Sequence, residues 1–205
     1  MKKKLLVIGA SGQGKVVADV AIKMSKWEAI YFLDDNKSIT AVLGFQVIGS
    51  TSEVTHYIPD HDIFIAIGNN KIRKNLHEKL EEKEASIPTL VHPSAVIGEE
   101  VELGAGTIVM AGAIINCCTK IGKSCIVNTG ATVDHDNRIG NFVHISPGAH
   151  LAGTVRIGEG CWLGIGSVIN NNINIIGNCV IGAGAVVIDD IKKTGVYVGV
   201  PARGI

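Results

Sequence analysis

The sequence predicts a two-part chain, a small α/β domain over residues 1–90 followed by a parallel β-helix over residues 91–205. Three observations carry that prediction. Apolar runs alternate with helix-spaced segments in the first part, and aliphatic residues recur at every sixth position in the second. The chain is also rich in glycine, with 25 residues, and poor in aromatics at 4%. A core without large rings has to be built from small and branched side chains in close stacks.

In the first part, KLLVIGA is a continuous apolar run suited to a strand covered on both faces. GKVVADVAIKMSK has helical spacing, with Val16, Val17, Val20, Ala21 and Met24 on one side. IYFL and DIFIAIG read as two further strands, and NKIRKNLHEKLEEKE as a charged amphipathic helix carrying Ile72, Leu76 and Leu80, with Arg73 and His77 beside them. SIPTLV closes this part. Alternating strands and helices imply a parallel, Rossmann-like sheet with right-handed crossovers.

In the second part the aliphatic series runs from Val91 through Val133 and Ile139 to Val187 without a miss, seventeen positions in all. Chance would give such a run about once in 10⁸ trials at ordinary aliphatic frequency. Four residues after each hit stands mostly a small or β-branched residue, as at Ala95, Thr107, Thr119, Cys125 and Ala131. Glycine often follows the aliphatic position directly, as at Gly104, Gly122 and Gly140, and is expected to supply turns. Six residues make one side of a triangular coil, so eighteen make a turn of the solenoid. Cys125, Cys161 and Cys179 fall on the small-residue position and are expected to be core packing. Cys117 and Cys118 lie at a turn, and the sequence leaves their role open.

Composition excludes several classes of function. With 19 basic and 19 acidic residues the net charge is zero, which gives no electrostatic reason to expect nucleic acid or an anionic membrane. No apolar run approaches the roughly 20 residues that span a bilayer. The opening MKKKLLVIGA resembles part of a signal peptide, but it leads into SGQGK and is better taken as a buried first strand. Five cysteines without CxxC spacing or histidine pairs indicate neither a disulfide framework nor a metal site, and a reduced, cytoplasmic setting follows as the expectation.

Two motifs carry chemistry. Gly9, Gly12 and Gly14 form GxxGxG between the first strand and helix, a loop that lets backbone N–H groups approach phosphate oxygens. Asp34 and Asp35 end the second strand about twenty residues on, where a carboxylate meets ribose hydroxyls or a base edge. NAD would read the same way, but everything after residue 90 is solenoid and leaves no room for a dehydrogenase's second half. The other motif is VDHDNRIG, residues 133–140. Acyl transfer to an amine or hydroxyl needs a base, and neutral imidazole suits that task. His135 is expected to point out of the coil with Asp136 beside it, a carboxylate that could fix the ring's tautomer. The plain alternative is that Asp134, Asp136 and Asn137 only make turns. His56, His61, His77 and His92 are expected to be structural or solvated.

Hexad arrays of this kind resemble the left-handed β-helix acyltransferases. GASGQGKVV, FLDD, FIAIGNNKIRK, NTGATVDHDNRIG and the terminal VGVPA occur in the order of one group among them. This group comprises the bacillosamine-pathway nucleotide-sugar N-acetyltransferases of the PglD type and the related sialic acid O-acetyltransferases. The resemblance implies a left-handed coil, acetyl-CoA as co-substrate, no metal, and a homotrimer with active sites between neighbouring prisms. It assigns the nucleotide sugar, a UDP-linked 4-amino sugar, to Ser11, Gly12, Gln13, Asp34, Asp35 and Gly68. It makes His135 the general base, with Asp136 orienting it and Asn128 as an active-site asparagine. It places His144, Ile165 and Ala183 against acetyl-CoA, the last two through backbone amides, and lets Arg203 reach a CoA phosphate. Gln13 departs from the family's usual histidine, which leaves the diphosphate contact and the nucleotide identity open. Transfer to a sialic acid hydroxyl and a non-catalytic scaffold are the rival readings.

Overall fold

The computed structural model describes residues 4–205; residues 1–3, most of the basic cluster that opens the chain, lie outside them. The chain divides into two compact units, one ending at Pro93 and the other spanning Ser94–Ile205.

The first unit is built on β1 (Lys4–Ile8), α1 (Gly12–Met24), β2 (Ala29–Leu33), β3 (Ala41–Val42), β4 (Phe45–Gly49), β5 (His61–Ile65) and α2 (Asn70–Glu81). The sheet order is β3-β4-β2-β1-β5, parallel throughout except for the β3–β4 hairpin. Leu5 to Ile8 are fully buried, as a central parallel strand requires. The hairpin is not visible as hydrophobic alternation, because its first strand has only two residues; its turn is set by Leu43 and Gly44, both at positive φ.

Each helix buries part of the face its apolar residues suggest, Val17, Val20 and Ala21 in α1 and Leu80 in α2, with the stripe shifted to one side. In α1 the buried residues are Gly14, Val17, Ala18, Val20 and Ala21, while Val16 is exposed. In α2 they are Arg73, His77 and Leu80, while Ile72 is half exposed. Arg73 is turned inward because its guanidinium donates to the carbonyls of Ile67 (2.9 Å) and Gly68 (3.0 Å) and to Asn70 Oδ1 (2.8 Å). A buried cation is tolerated only when hydrogen-bonded in this way. The consequence is local: the loop that carries Gly68 is held from below by a permanent charge.

The second unit is a left-handed parallel β-helix whose two-residue strands pair in parallel with those eighteen residues away, as in Ile114↔Thr132 and Thr132↔His150. Three sheets form three faces. Face 1 holds the strands ending at Ile97, Ile115, Val133, Leu151, Ile169 and Val187. Face 2 holds those ending at Leu103, Ile121, Ile139, Ile157 and Ile175. Face 3 includes those ending at Val109, Val127, Ile145, Leu163 and Ile181, and is extended by Val196–Val198 and Arg203–Gly204. From Val109 onwards the aliphatic residue of each hexad is buried, as is the residue four places later, whereas Ile97 in the first coil is partly exposed.

The glycines that follow the aliphatic positions do not provide the turns. Positive φ falls two residues later, at Gly112, Cys118, Gly130, Asp136, Gly148 and their equivalents. At Gly104 and Gly140 the reason for glycine is the next coil: a Cβ there would lie 2.5 Å from Gly122 C and 2.7 Å from Glu159 N. Coils stacked about 4.8 Å apart have no space for a side chain at that corner. Cys125, Cys161 and Cys179 are fully buried, and burial pushes the Cys161 thiol up to about 12, which rules it out as a nucleophile at neutral pH.

Candidate active site

In the first unit the glycine-rich loop combines three separate requirements. Gly9 sits at φ 100°, Gly14 would drive a Cβ to 2.1 Å from Gly9 O, and Gly12 faces open space with nothing within 4 Å. The first two shape the turn, and the third leaves room for a ligand. Ser11 is the N-cap of α1 and uses its side chain for no capping bond, so its hydroxyl and the first-turn N–H groups, with Gln13 among them, face outward. Asp34 Oδ2 accepts from Ala10 N at 2.7 Å and Oδ1 from Asn36 N at 2.8 Å, which ties the second strand's end to this loop. Asp35 is held by Thr51, whose N–H and hydroxyl both donate to it at 2.9 Å. An open cleft of about 600 Å³ adjoins both carboxylates and Ser50. Each carboxylate oxygen can accept a further bond, so the pair can still receive hydroxyls from a ligand. Gly68 is exposed, with open space where a Cβ would stand.

In the second unit His135 and Asp136 occupy the corner between faces 1 and 2. His135 Nδ1–H donates to Asp136 Oδ2 at 2.8 Å, and both side chains are about half exposed, at 53% and 55%. A carboxylate only accepts, so the proton sits on Nδ1 and Nε2 keeps its lone pair. That bond, with the charges of Asp134 and Asp136, raises the His135 pKa above its ordinary 6.5. Asp134 matters more than its sequence position suggests. Its Oδ1 accepts from His135 N at 2.9 Å and from Asn116 Nδ2 at 2.7 Å, and these bonds hold its pKa low.

The imidazole lies over Gly153, its equivalent one coil on. A Cβ at Gly153 would stand 2.6 Å from both Cε1 and Nε2 of His135. Gly153 is not at a positive φ, so it is glycine for the sake of the ring. Its N–H, like those of Ile165 and Ala183, donates to no acceptor among the described residues.

Asn128 and His144 are joined to each other within the chain. Asn128 Oδ1 accepts from Thr129 N at 2.8 Å, which aims Nδ2 at His144 Nε2, 3.2 Å away. This pair belongs to face 3 and the corner between faces 3 and 1, where Ile165 and Ala183 also lie. A full side of the triangle, face 1, separates Asn128 from His135. Trp162 stacks on His144 with ring centroids 6.0 Å apart and an 8° tilt, and its indole donates to Ser146 Oγ at 2.8 Å. Trp162 is half exposed and was not singled out from the sequence; it stands eighteen residues after His144, so wrapping the chain at that period reveals it. Arg203 is exposed on the terminal hairpin, 3.8 Å from Asp189. Cys118 is drawn towards Glu100, and desolvation pushes its thiol above the ordinary value. No group of three or more metal-binding side chains is present among the described residues, and no described helix is long and apolar enough to cross a membrane.

The electrostatics of the His135 corner give a signed prediction. Asp136→Asn removes the main cause of the raised pKa, so the acid limb of the pH–rate profile should move to lower pH. The neutral amide also stabilises imidazolium less, so the plateau should fall, by roughly 10- to 100-fold. A profile measured between pH 5 and 9 checks both.

Residues 4–80 match the family model described as the PglD N-terminal domain. A curated relative, UDP-N-acetylbacillosamine N-acetyltransferase from Bacillus subtilis (strain 168), is 37% identical over 105 residues; the match spans 50% of this chain and 49% of that protein, about half the length of each. The acetyltransferase domain of PglB from Neisseria gonorrhoeae FA1090, solved in complex with acetyl coenzyme A, is 39% identical. It covers 100% of both chains, with a TM-score of 0.96. PerB from Caulobacter crescentus, solved with CoA and GDP-perosamine, is 35% identical over 98% of this chain and 97% of its own, with a TM-score of 0.93. With identity above the level of shared fold alone, and over the full length of both units, the chain belongs to the PglD-type family of left-handed β-helix sugar acetyltransferases.

Proposed function

We propose that the protein is an acetyl-CoA-dependent N-acetyltransferase acting on the 4-amino group of a nucleotide-linked amino-deoxy sugar, with UDP as the favoured nucleotide. The observation that carries this reading is the His135–Asp136 pair: an exposed imidazole with its proton fixed on Nδ1 and Nε2 free to take a proton from an amine. The first unit binds the nucleotide, with the Ser11–Gly14 turn at the diphosphate and the Asp34–Asp35 edge at the ribose or base. The amine attacks the thioester carbonyl as His135 removes its proton, and the CoA thiolate leaves. Gly153 N–H, beside the imidazole and lacking an internal acceptor, is placed to receive the oxyanion. No covalent enzyme intermediate enters this sequence.

Asn128 and His144, with the open amides of Ile165 and Ala183, form the acetyl-CoA wall. They lie across face 1 from His135, so one chain does not complete the site. A ring of three copies does, by setting the His135 edge of one prism beside face 3 of the next. The faces suit that assembly. Face 2 carries Glu102, Lys120, Arg138 and Arg156 outward, whereas face 1 presents Val96, Ile114 and Val168, and face 3 Trp162 and Val196. Charged faces stay in water and apolar ones pack, and a head-to-tail contact closes into a ring. A solution mass near three times 21.5 kDa supports the assembly, and a monomer at working concentration refutes it. Arg203 extends towards a CoA phosphate, and the cytoplasm, where acetyl-CoA is made and used, is the expected compartment.

The substrate assignment is tested by following CoA thiol release with UDP-, GDP- and CDP-linked 4-amino-4,6-dideoxy sugars and free sialic acid as competing acceptors. Turnover should be highest with the UDP-linked amine. No turnover with any amino-sugar nucleotide removes the proposed substrate class.

A further inference from the structure

We propose that Asn137, buried inside the prism, is a positioning residue for the candidate base, fixing the direction of His135 through the backbone carbonyls on either side of it. This rests on the reading of His135 as the base. Asn137 occupies the inward position that other hexads fill with small or aliphatic residues, and it is fully buried. Its Oδ1 accepts from Val155 N at 2.9 Å. That bond settles the amide's orientation and aims Nδ2 at three carbonyls: Asp134 O at 2.6 Å, Ala152 O at 3.0 Å and His135 O at 3.4 Å.

A general structural role accounts for only part of this. Polar residues at the inward position latch the carbonyl fifteen residues ahead elsewhere in the prism: Thr107 to Gly122 O, Cys125 to Gly140 O and Cys161 to Ile176 O. Asn137 makes the same latch to Ala152 O. The reach back to His135 O also has counterparts, Cys125 Sγ to Lys123 O at 3.7 Å and Cys179 Sγ to Gly177 O at 3.8 Å; the bond that goes beyond these two patterns is the one to Asp134 O at 2.6 Å. The neighbouring coil reinforces it, because Thr119 Oγ1 donates to Asp134 O at 2.8 Å and receives Asn137 N at 3.2 Å. In this corner's inward column, Val101, Val155, Ile173 and Ile191 are apolar; only Thr119 and Asn137, at the coil of His135 and the one before it, are polar. From outside, Asp134 Oδ1 caps the His135 N–H and Thr154 N donates to His135 O at 2.9 Å. The peptide groups that set the His135 Cα–Cβ direction are therefore held from both the core and the surface. A buried amide is costly unless satisfied, so its presence here is explained by what it orients.

The test compares Asn137→Val with Thr107→Val, which removes the equivalent latch in another corner, and with His135→Ala. If Asn137 positions the base, kcat for acetyl transfer falls about tenfold or more in Asn137→Val while KM for acetyl-CoA and for the sugar nucleotide stays within about twofold. The His135 imidazole, followed by NMR titration, should also move towards its ordinary pKa as its alignment with Asp136 loosens. Thr107→Val should change neither. Should Asn137→Val fail to fold, Asn137→Cys serves, since cysteine already fills the inward position at Cys125, Cys161 and Cys179. If His135→Ala is inactive while kcat and the His135 titration of the Asn137 variant match those of Thr107→Val, the positioning role is refuted and the base is retained. If His135→Ala keeps wild-type turnover, the functional reading fails and this inference with it.

Discussion

Replacing His135 with alanine should lower kcat by about 10²- to 10⁴-fold and leave the melting temperature unchanged. The two halves of that expectation come from different properties of the same residue. His135 is about half exposed at a prism corner, and its ring spans no buried space, so removing it creates no cavity. The backbone of the corner is held by Asp134, Thr119, Asn137 and Thr154, none of which depends on the imidazole. What is lost is the lone pair on Nε2 and, with it, the group that takes the amine's proton. The residual rate should show no titration near the pKa of histidine. Steady-state kinetics and thermal melting on the same preparation check both halves.

Gly153→Ala should behave almost as severely although it adds one methyl group and removes nothing. The new Cβ would stand 2.6 Å from two ring atoms of His135, well inside van der Waals contact. The ring is the free end of an exposed side chain, so it swings away at little cost to folding. In doing so it leaves Asp136, and a displacement of about 1 Å at a reacting group is enough to cost about 100-fold in rate. The variant should therefore fold normally, lose about two orders of magnitude in kcat, and show a His135 pKa closer to its ordinary value. Alanine at Gly112, which meets nothing within 4 Å but sits at φ 67°, is the opposite case: backbone strain without contact with the ring. It should affect stability more than catalysis.

Much of this was legible in the sequence because the solenoid converts a linear period into a spatial one. Seventeen aliphatic positions at spacing six place every later residue on a face or at a corner, and VDHDNRIG falls at the corner between faces 1 and 2. The same period misleads where two causes give the same residue. Glycine after each aliphatic position looks like a turn former, yet the turns lie two residues later and the glycines are there because the next coil is too close. Asn137 looked like a turn residue for the same reason: its position in the hexad is inward, and only the carbonyls it reaches show that a polar group belongs there. Wrapping at eighteen as well as at six pairs His135 with Gly153, His144 with Trp162 and Thr119 with Asn137, none of which neighbours the other in sequence. In α2 the apolar spacing pointed to Ile72, Leu76 and Leu80, of which Leu80 is buried, but the buried face also takes in Arg73, whose partners include backbone carbonyls that no side-chain pattern records. The grouping of Asn128 with His135 was a matter of seven residues in the chain; in space they stand on opposite edges of face 1, and the structure joins Asn128 to His144 instead.

The central claim is that an imidazole oriented by Asp136 removes the proton from a nucleotide-linked sugar amine during acetyl transfer. Its most direct test is CoA thiol release from saturating acetyl-CoA and the UDP-linked 4-amino sugar, measured for the wild-type protein and His135→Ala from pH 5 to 9. The wild type should turn over with a rate that rises through a single pKa above 6.5 and then levels, and the variant should give a low rate without that titration. Equal rates and equal pH profiles for the two proteins would contradict the account.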